Sequence, residues 1–315
     1  MGSDFSIITV GLCPAWDITC RGAGLKWGEH QQINEQSVCP AGKALNISRA
    51  LAWMGKKNVA AGLWGREDFG RMLEAMRPLA GAIKIKMTAA DGATRQNVTI
   101  VDTAKRKEMH LRCKSELADR KSLGKLKVDL QKILGRESLC VFAGSMPDAY
   151  VNDIVDVINC CRSGGARIAL DTSGTAMKRL VDGGGIWLIK PNVEELGELL
   201  GKKVRDDIAG LAKAASGLLD RVRIVLISRG GKGAIVVTKD RVLSGRCLGG
   251  GKVLSTVACG DYLLAGFLKG LEDRLDMGFA LETAIKVATA KALGWTESES
   301  WAQAERQIKV VVRQA

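Results

Sequence analysis

Leu139-Cys140-Val141-Phe142-Ala143 is a run of apolar residues too short for a helix and without a polar position to face water. Such a run reads as a strand buried on both faces, the kind that parallel sheets contain. The pattern returns at residues 7–12, 59–63, 167–171, 187–190 and 223–228. Between these runs the spacing becomes helical. Ile47, Ala50, Leu51 and Met54 fall at i, i+3, i+4 and i+7, and Gly55 stands where a helix end favours glycine. Ile208, Leu211, Ala212 and Ala215 repeat that spacing, and Leu281, Ile285, Ala288 and Ala292 form another apolar stripe. Strands alternating with helices predict an α/β fold: a mostly parallel central sheet with helices on both faces.

Composition narrows the class. With 315 residues, 46% hydrophobic and 26% charged, the chain is neither disordered, collagen-like nor coiled coil. Aromatics are only 4%, so the core must rest on aliphatic side chains. Lys and Arg number 47 against 34 acids, a net charge of +13 that favours an anionic partner: nucleic acid, a membrane surface or a phosphorylated metabolite. No stretch reaches the ~18 apolar residues of a membrane span, and residues 1–10 lack the features of a secretory signal. Nine cysteines without a C-x-x-C pair predict reduced, mostly buried thiols and a cytoplasmic location. With only His30 and His110, a histidine-based metal or triad site is not expected.

Two stretches break the rhythm. Residues 18–37 are polar and dotted with glycine, and residues 91–117 alternate weakly through Thr94, Asn97, Thr99, Val101 and Met109. Both are expected to be strands of a small sheet, with a hairpin turn at residues 105–107. Residues 120–132 are expected to form a basic, solvated helix. No repeat or linker divides the chain, so residues 1–315 read as one domain carrying that small sheet.

The chemistry must lie in the loops. Walker A, dinucleotide-binding, protein-kinase and nucleophile-elbow motifs are all absent. Ser255-Thr256-Val257-Ala258-Cys259-Gly260-Asp261 turns through small residues into an apolar helix. Unpaired N–H groups and the helix dipole there make an anion site. Asp261 is either a helix starter or a base for a hydroxyl proton beside a transferring phosphoryl group. Pro40-Ala41-Gly42-Lys43-Ala44-Leu45-Asn46 is a second small-residue turn, offering a cation at Lys43 and an amide at Asn46, or only a tight turn. In Lys190-Pro191-Asn192-Val193-Glu194-Glu195, Asn192 and Glu195 suit a capping box or oxygens near hydrated magnesium. Ser228-Arg229-Gly230-Gly231-Lys232-Gly233 is either a hairpin loop or a turn open enough to admit a nucleotide.

In this order the motifs resemble the ribokinase-type (phosphofructokinase B) family of carbohydrate kinases, from Ile8 to about Gly294. The likeness is greatest to its 1-phosphofructokinase and tagatose-6-phosphate kinase branch. Pro14-Ala15-Trp16-Asp17 matches P-A-x-D, and Thr94-Arg95-Gln96-Asn97-Val98 matches T-R-x-N-V. Gly144-Ser145-Met146-Pro147 is similar to G-S-L-P, and Trp187-Leu188-Ile189-Lys190-Pro191-Asn192 to W-L-V-K-P-N. The resemblance implies a ribokinase-like three-layer α/β/α domain with a β-sheet lid, formed by about 18–37 and 91–117, that can also join a homodimer. It implies Asp261 as general base, with backbone N–H groups of Ala258, Cys259 and Gly260 as the anion hole. Asp17, Gly42, Lys43, Asn46 and Ser145 would hold the sugar and Arg95 its existing phosphate. Lys190, Asn192, Glu195, Ser228, Gly230, Gly231 and Gly233 would serve ATP and Mg²⁺, with Asn192 and Glu195 reaching the ion through water.

The expected reaction is phosphorylation of fructose 1-phosphate to fructose 1,6-bisphosphate. The alternatives are tagatose 6-phosphate, an unphosphorylated sugar or nucleoside, and a catalytically weak sugar-phosphate sensor. Nucleic-acid binding lacks any helix-turn-helix, zinc or basic-aromatic cue. Several positions depart from the family pattern. Ala258 and Cys259 replace part of G-A-G-D, and the Ala258 methyl is tolerable only at negative φ. Tyr262 stands where a small residue is usual and is expected to crowd the ligands. Ala41 and Ala44 replace glycines of G-G-K-G, Cys13 replaces an asparagine, and the segment after Gly294 differs. Lys43, Arg95, Lys190 and residues 105–107 are the charges expected to meet phosphates.

Overall fold

A computed structural model describes residues 6–135 and 137–314. The reading of residues 1–10 therefore falls partly, at 1–5, outside the described residues.

Along the chain the strands are β1 (Ser6–Gly11), β2 (Ala15–Gly22), β3 (Glu35–Ala41), β4 (Asn58–Gly65), β5 (Ile83–Ala90), β6 (Gln96–Asp102) and β7 (Lys107–Arg112). They continue as β8 (Ser138–Ala143), β9 (Arg167–Asp171), β10 (Ile186–Ile189), β11 (Val222–Ser228), β12 (Ala234–Val237), β13 (Val242–Leu248) and β14 (Lys309–Gln314). The helices are α1 (Lys43–Trp53), α2 (Phe69–Met76), α3 (Arg120–Gln131), α4 (Val151–Ser163) and α5 (Gly174–Asp182). After them come α6 (Val193–Leu200), α7 (Ile208–Ser216), α8 (Cys259–Arg274), α9 (Met277–Ala292) and α10 (Trp301–Gln307).

The large sheet has the order β14-β13-β12-β11-β10-β9-β8-β1-β4-β5. From β5 across to β11 every neighbour is parallel, and β12, β13 and β14 extend it antiparallel. Alternation along one strand builds two cores. Ile7 joins the apolar layer under α1, α8 and α9, whereas Ile8 joins that under α3, α4, α5, α6 and α7. This is the expected three-layer α/β/α arrangement. The chain leaves β1 in both directions across the sheet, so ligands are expected where strand order switches, at the strands' carboxyl ends.

The small sheet is separate, with order β3-β2-β6-β7. The carboxylate of Asp102 organises its loops by accepting N–H bonds from Gly24, Leu25, Ala104 and Lys105. The hairpin turns at Arg106, with φ 52°, before β7 begins at Lys107.

Several expectations need correction. The helix at 120–132 is not simply solvated: Leu123, Leu126 and Leu130 form a buried stripe. The thiols are all free, but only Cys140 and Cys161 are buried while Cys39 and Cys113 are exposed. Residues 309–314 form an edge strand paired with β13. Among the described residues no helix is long and apolar enough to cross a membrane.

Candidate active site

A cavity of about 430 Å³ opens at the carboxyl ends of the parallel strands. Its lining includes Asp17, Gly42, Lys43, Asn46, Arg95, Ser145, Lys190, Asn192, Glu195, Ser228, Ala258, Gly260 and Asp261, brought together from seven separate stretches of the chain. Cys259, Gly230, Gly231 and Gly233 lie outside that lining, as do residues 105–107. Gly230 and Gly231 sit in the short 3₁₀ turn after β11. Gly233 has a structural reason to be glycine: a Cβ there would stand 2.0 Å from the Gly245 carbonyl oxygen.

Asp261 occupies the first turn of α8 and is buried. Asn46, one turn into α1, donates its side-chain N–H to Asp261 Oδ2 at 2.8 Å. Burial, and then the charge of Asp171, raise the Asp261 carboxyl to about 7, against the pull of Asn46, Lys43 and Lys190. A carboxylate tuned to neutrality is suited to take a hydroxyl proton.

Beneath it lies a buried group that the motifs did not reveal. Asp171 closes the apolar strand β9, fully buried, and its Oδ1 meets Lys43 Nζ at 3.0 Å and Lys190 Nζ at 3.2 Å. Burial opposes its charge, but the two lysines hold the carboxyl below the usual range. Asp171 Oδ2 has no hydrogen-bond partner among the described residues. Lys190 Nζ also approaches the turn into α8, 3.3 Å from where a Gly260 Cβ would stand. That contact ties the lysine pair to the helix start.

At that start the amides of Ala258 and Gly260 donate to no acceptor among the described residues, whereas the Cys259 N–H points back to the Thr256 carbonyl at 3.4 Å. Ala258 has φ 63°, so the condition of negative φ for its methyl fails. A left-handed alanine costs about 1 kcal/mol. Ala258→Gly is expected to raise unfolding stability by about 1 kcal/mol in urea, with activity retained. A loss of stability would refute strain at this turn. Tyr262 does not crowd the cavity: it is buried in the apolar layer, with Lys291 Nζ 5.5 Å from its ring centre.

The remaining motif residues are held by local bonds. Asn192 Oδ1 accepts from the Glu195 N–H at 2.8 Å and Glu195 Oε2 from the Asn192 N–H at 2.9 Å, a reciprocal cap on α6. Gly42 needs to be glycine, with φ 127° just before α1. Asn97 Nδ2 donates to Asp17 Oδ1 at 2.9 Å across paired strands of the small sheet. Arg95 donates to the carbonyls of Pro14, Cys113 and Cys13 at 3.2, 2.8 and 2.9 Å. Asn97, Arg112 and Met87 also line the cavity and were not singled out from the sequence. Asn97 had a signal, as the asparagine of the Thr94-Arg95-Gln96-Asn97-Val98 motif at the start of β6.

Cations, unspent helix amides and a carboxylate titrating near neutrality around one cavity suit phosphoryl transfer to a hydroxyl, where positioning and charge stabilisation supply most of the catalysis. The class is therefore a phosphotransferase with an alcohol acceptor. The family model of pfkB family carbohydrate kinases matches residues 5–298, and the chain belongs to that family. It is 31% identical over 304 residues to a 1-phosphofructokinase of Rhodobacter capsulatus, covering 91% of this chain and 89% of that one. It is 27% identical over 271 residues to a tagatose-6-phosphate kinase of Staphylococcus epidermidis, covering 84% and 85%. The fold is similar to the crystal structure of Escherichia coli phosphofructokinase-2 in complex with substrates and products. That likeness has a TM-score of 0.87 and 20% identity over 96% of this chain and 97% of the other.

Proposed function

We propose that the protein transfers the γ-phosphoryl group of ATP to a hydroxyl of a phosphorylated ketohexose, with fructose 1-phosphate the leading acceptor. The observation that carries this reading is Asp261, buried beside Asn46 and poised near pH 7 at the start of α8. Asp261 accepts the hydroxyl proton while the amides of Ala258 and Gly260 hold charge on the transferring group. Asp17 and Asn97 take sugar hydroxyls, and the acceptor's own phosphate meets the cationic side of the cavity.

The donor set fits Mg²⁺, because Glu195 and Asn192 offer hard oxygens and Asp171 Oδ2 is a buried carboxylate oxygen without a partner. Among the described residues no three acidic, His or Cys side chains converge on a metal, which suits an ion held through water and nucleotide phosphates. When bound, Mg²⁺ would offset the charge of those phosphates. Lys190 and Ser228 border the same side, with the turn carrying Gly230, Gly231 and Gly233 beyond them.

Mg²⁺-ATP turnover with fructose 1-phosphate, fructose 6-phosphate, tagatose 6-phosphate and unphosphorylated sugars tests the reading. The highest kcat/KM is expected with fructose 1-phosphate. A higher value for a neutral sugar would contradict a phosphorylated acceptor. Ligand-induced thermal stabilisation without ADP release would favour a sensor.

The small sheet is read as a lid that also joins two copies. In register, Val38, Ile18, Val98 and Leu111 form a row across all four strands, opposite the face bearing Asp17 and Asn97. Val38 and Leu111 are exposed there. Sedimentation is expected to find a dimer that Leu111→Glu separates; a wild-type monomer at high concentration would reject this surface.

A further inference from the structure

Four cations border the cavity, and three of them are engaged within the protein. Lys43 and Lys190 both reach Asp171 Oδ1. The Arg95 guanidinium gives N–H groups to three backbone carbonyls, which braces the turn at Cys13 and Pro14 against Cys113. Arg112 differs: it is exposed, lines the cavity and has no carboxylate or carbonyl partner for its guanidinium among the described residues.

Its position is set by strand pairing. Arg112 ends β7 opposite Asn97 on β6, which in turn stands opposite Asp17 on β2. Asp17, Asn97 and Arg112 thus form one row across the small sheet, on the face that lines the cavity. The next residue after Arg112, Cys113, has its carbonyl held by Arg95 Nη1 at 2.8 Å. The backbone is pinned while the guanidinium stays available.

We infer that Arg112 selects for an acceptor that already carries a phosphate. This rests on the sugar-phosphate kinase reading above. A guanidinium fork matches two oxygens of a phosphate, and a neutral sugar has no group of that charge to offer. Asp17 and Asn97, along the same row, take the hydroxyls, so the row measures the acceptor from its polar ring to its phosphate. Arg95 then acts as a positioning residue that holds the loops flanking Arg112.

Steady-state kinetics of wild type, Arg112→Gln, Arg112→Lys and Arg95→Lys tests this, using sugar phosphate, unphosphorylated sugar and ATP as varied substrates. Arg112→Gln is expected to raise KM for the sugar phosphate roughly 10- to 100-fold, the effect of losing a charged hydrogen-bonded contact. Its KM for ATP should rise far less, and its loss relative to wild type should be much smaller with unphosphorylated sugar. Arg112→Lys should recover only part, because an ammonium keeps the charge and loses the fork. An unchanged sugar-phosphate KM in Arg112→Gln overturns the inference, as does a selective rise confined to Arg95→Lys. A wild type that turns over no sugar phosphate overturns the underlying reading instead, and that result is separately visible.

Discussion

Asp261→Asn is expected to lower kcat by roughly 10³-fold, the scale of a lost general base. Asparagine keeps the shape and can still accept the 2.8 Å bond from Asn46, so the cavity should survive. What it cannot do is accept a proton at the moment the oxygen–phosphorus bond forms. The nucleotide should bind with unchanged affinity, because the α8 amides and the lysines remain. Stability supplies a second readout. The Asp261 carboxyl is raised in the folded state, to about 7, so folding favours its protonated form. That contribution is full below the unfolded-state value near 4 and is lost as pH rises through about 7. Asp261→Asn is therefore expected to be more stable than wild type at pH 8, with little advantage below pH 4. Near-normal turnover would remove Asp261 from the chemistry.

Asp171→Asn should be the most damaging conservative change to the fold. Lys190 is almost fully buried, and both it and Lys43 direct their ammonium groups at Asp171 Oδ1. Removing one partner of a buried ion pair costs about 3 kcal/mol, because the other charge stays desolvated. Urea unfolding at pH 7 should read that loss. The Asp171 carboxyl is depressed in the fold, so its contribution is present above the unfolded value and disappears only as pH falls through the folded one. The gap to wild type should thus persist at neutral pH and close in acid. Catalysis should respond too. Asp171 is a cause of the raised Asp261 carboxyl, so its loss should move the acid limb of kcat/KM to a pH below about 7. Wild-type stability together with an unmoved limb would mean the cluster has no such role.

How much of this was legible depends on whether the cause is local. β9 and β8 were readable because strands buried on both faces leave unbroken apolar runs. β5 was not, since Lys84 and Lys86 alternate with apolar neighbours on an exposed edge. The cap formed by Asn192 and Glu195 joins residues only three apart and is visible as a motif; whether it also serves magnesium is not written in that spacing. Asp171 pairs with a lysine 128 residues away, and only the meeting of β9 with α1 reveals it. Arg112 and Asn97 enter the site through strand register, which a weakly alternating segment does not fix. Ala258 was recognised as a departure, but the sign of its φ is a property of the folded turn. Tyr262, flagged as a steric obstacle, follows the helical phase of α8 into the core.

The central claim is that a γ-phosphoryl group passes to a hydroxyl of a sugar phosphate. ³¹P NMR of the protein with Mg²⁺-ATP and fructose 1-phosphate observes that transfer directly. The predicted result is ADP appearing in equal amount with a second sugar phosphomonoester resonance, at wild-type but not Asp261→Asn rates. ADP accompanied only by inorganic phosphate, or an unchanged spectrum, would contradict it.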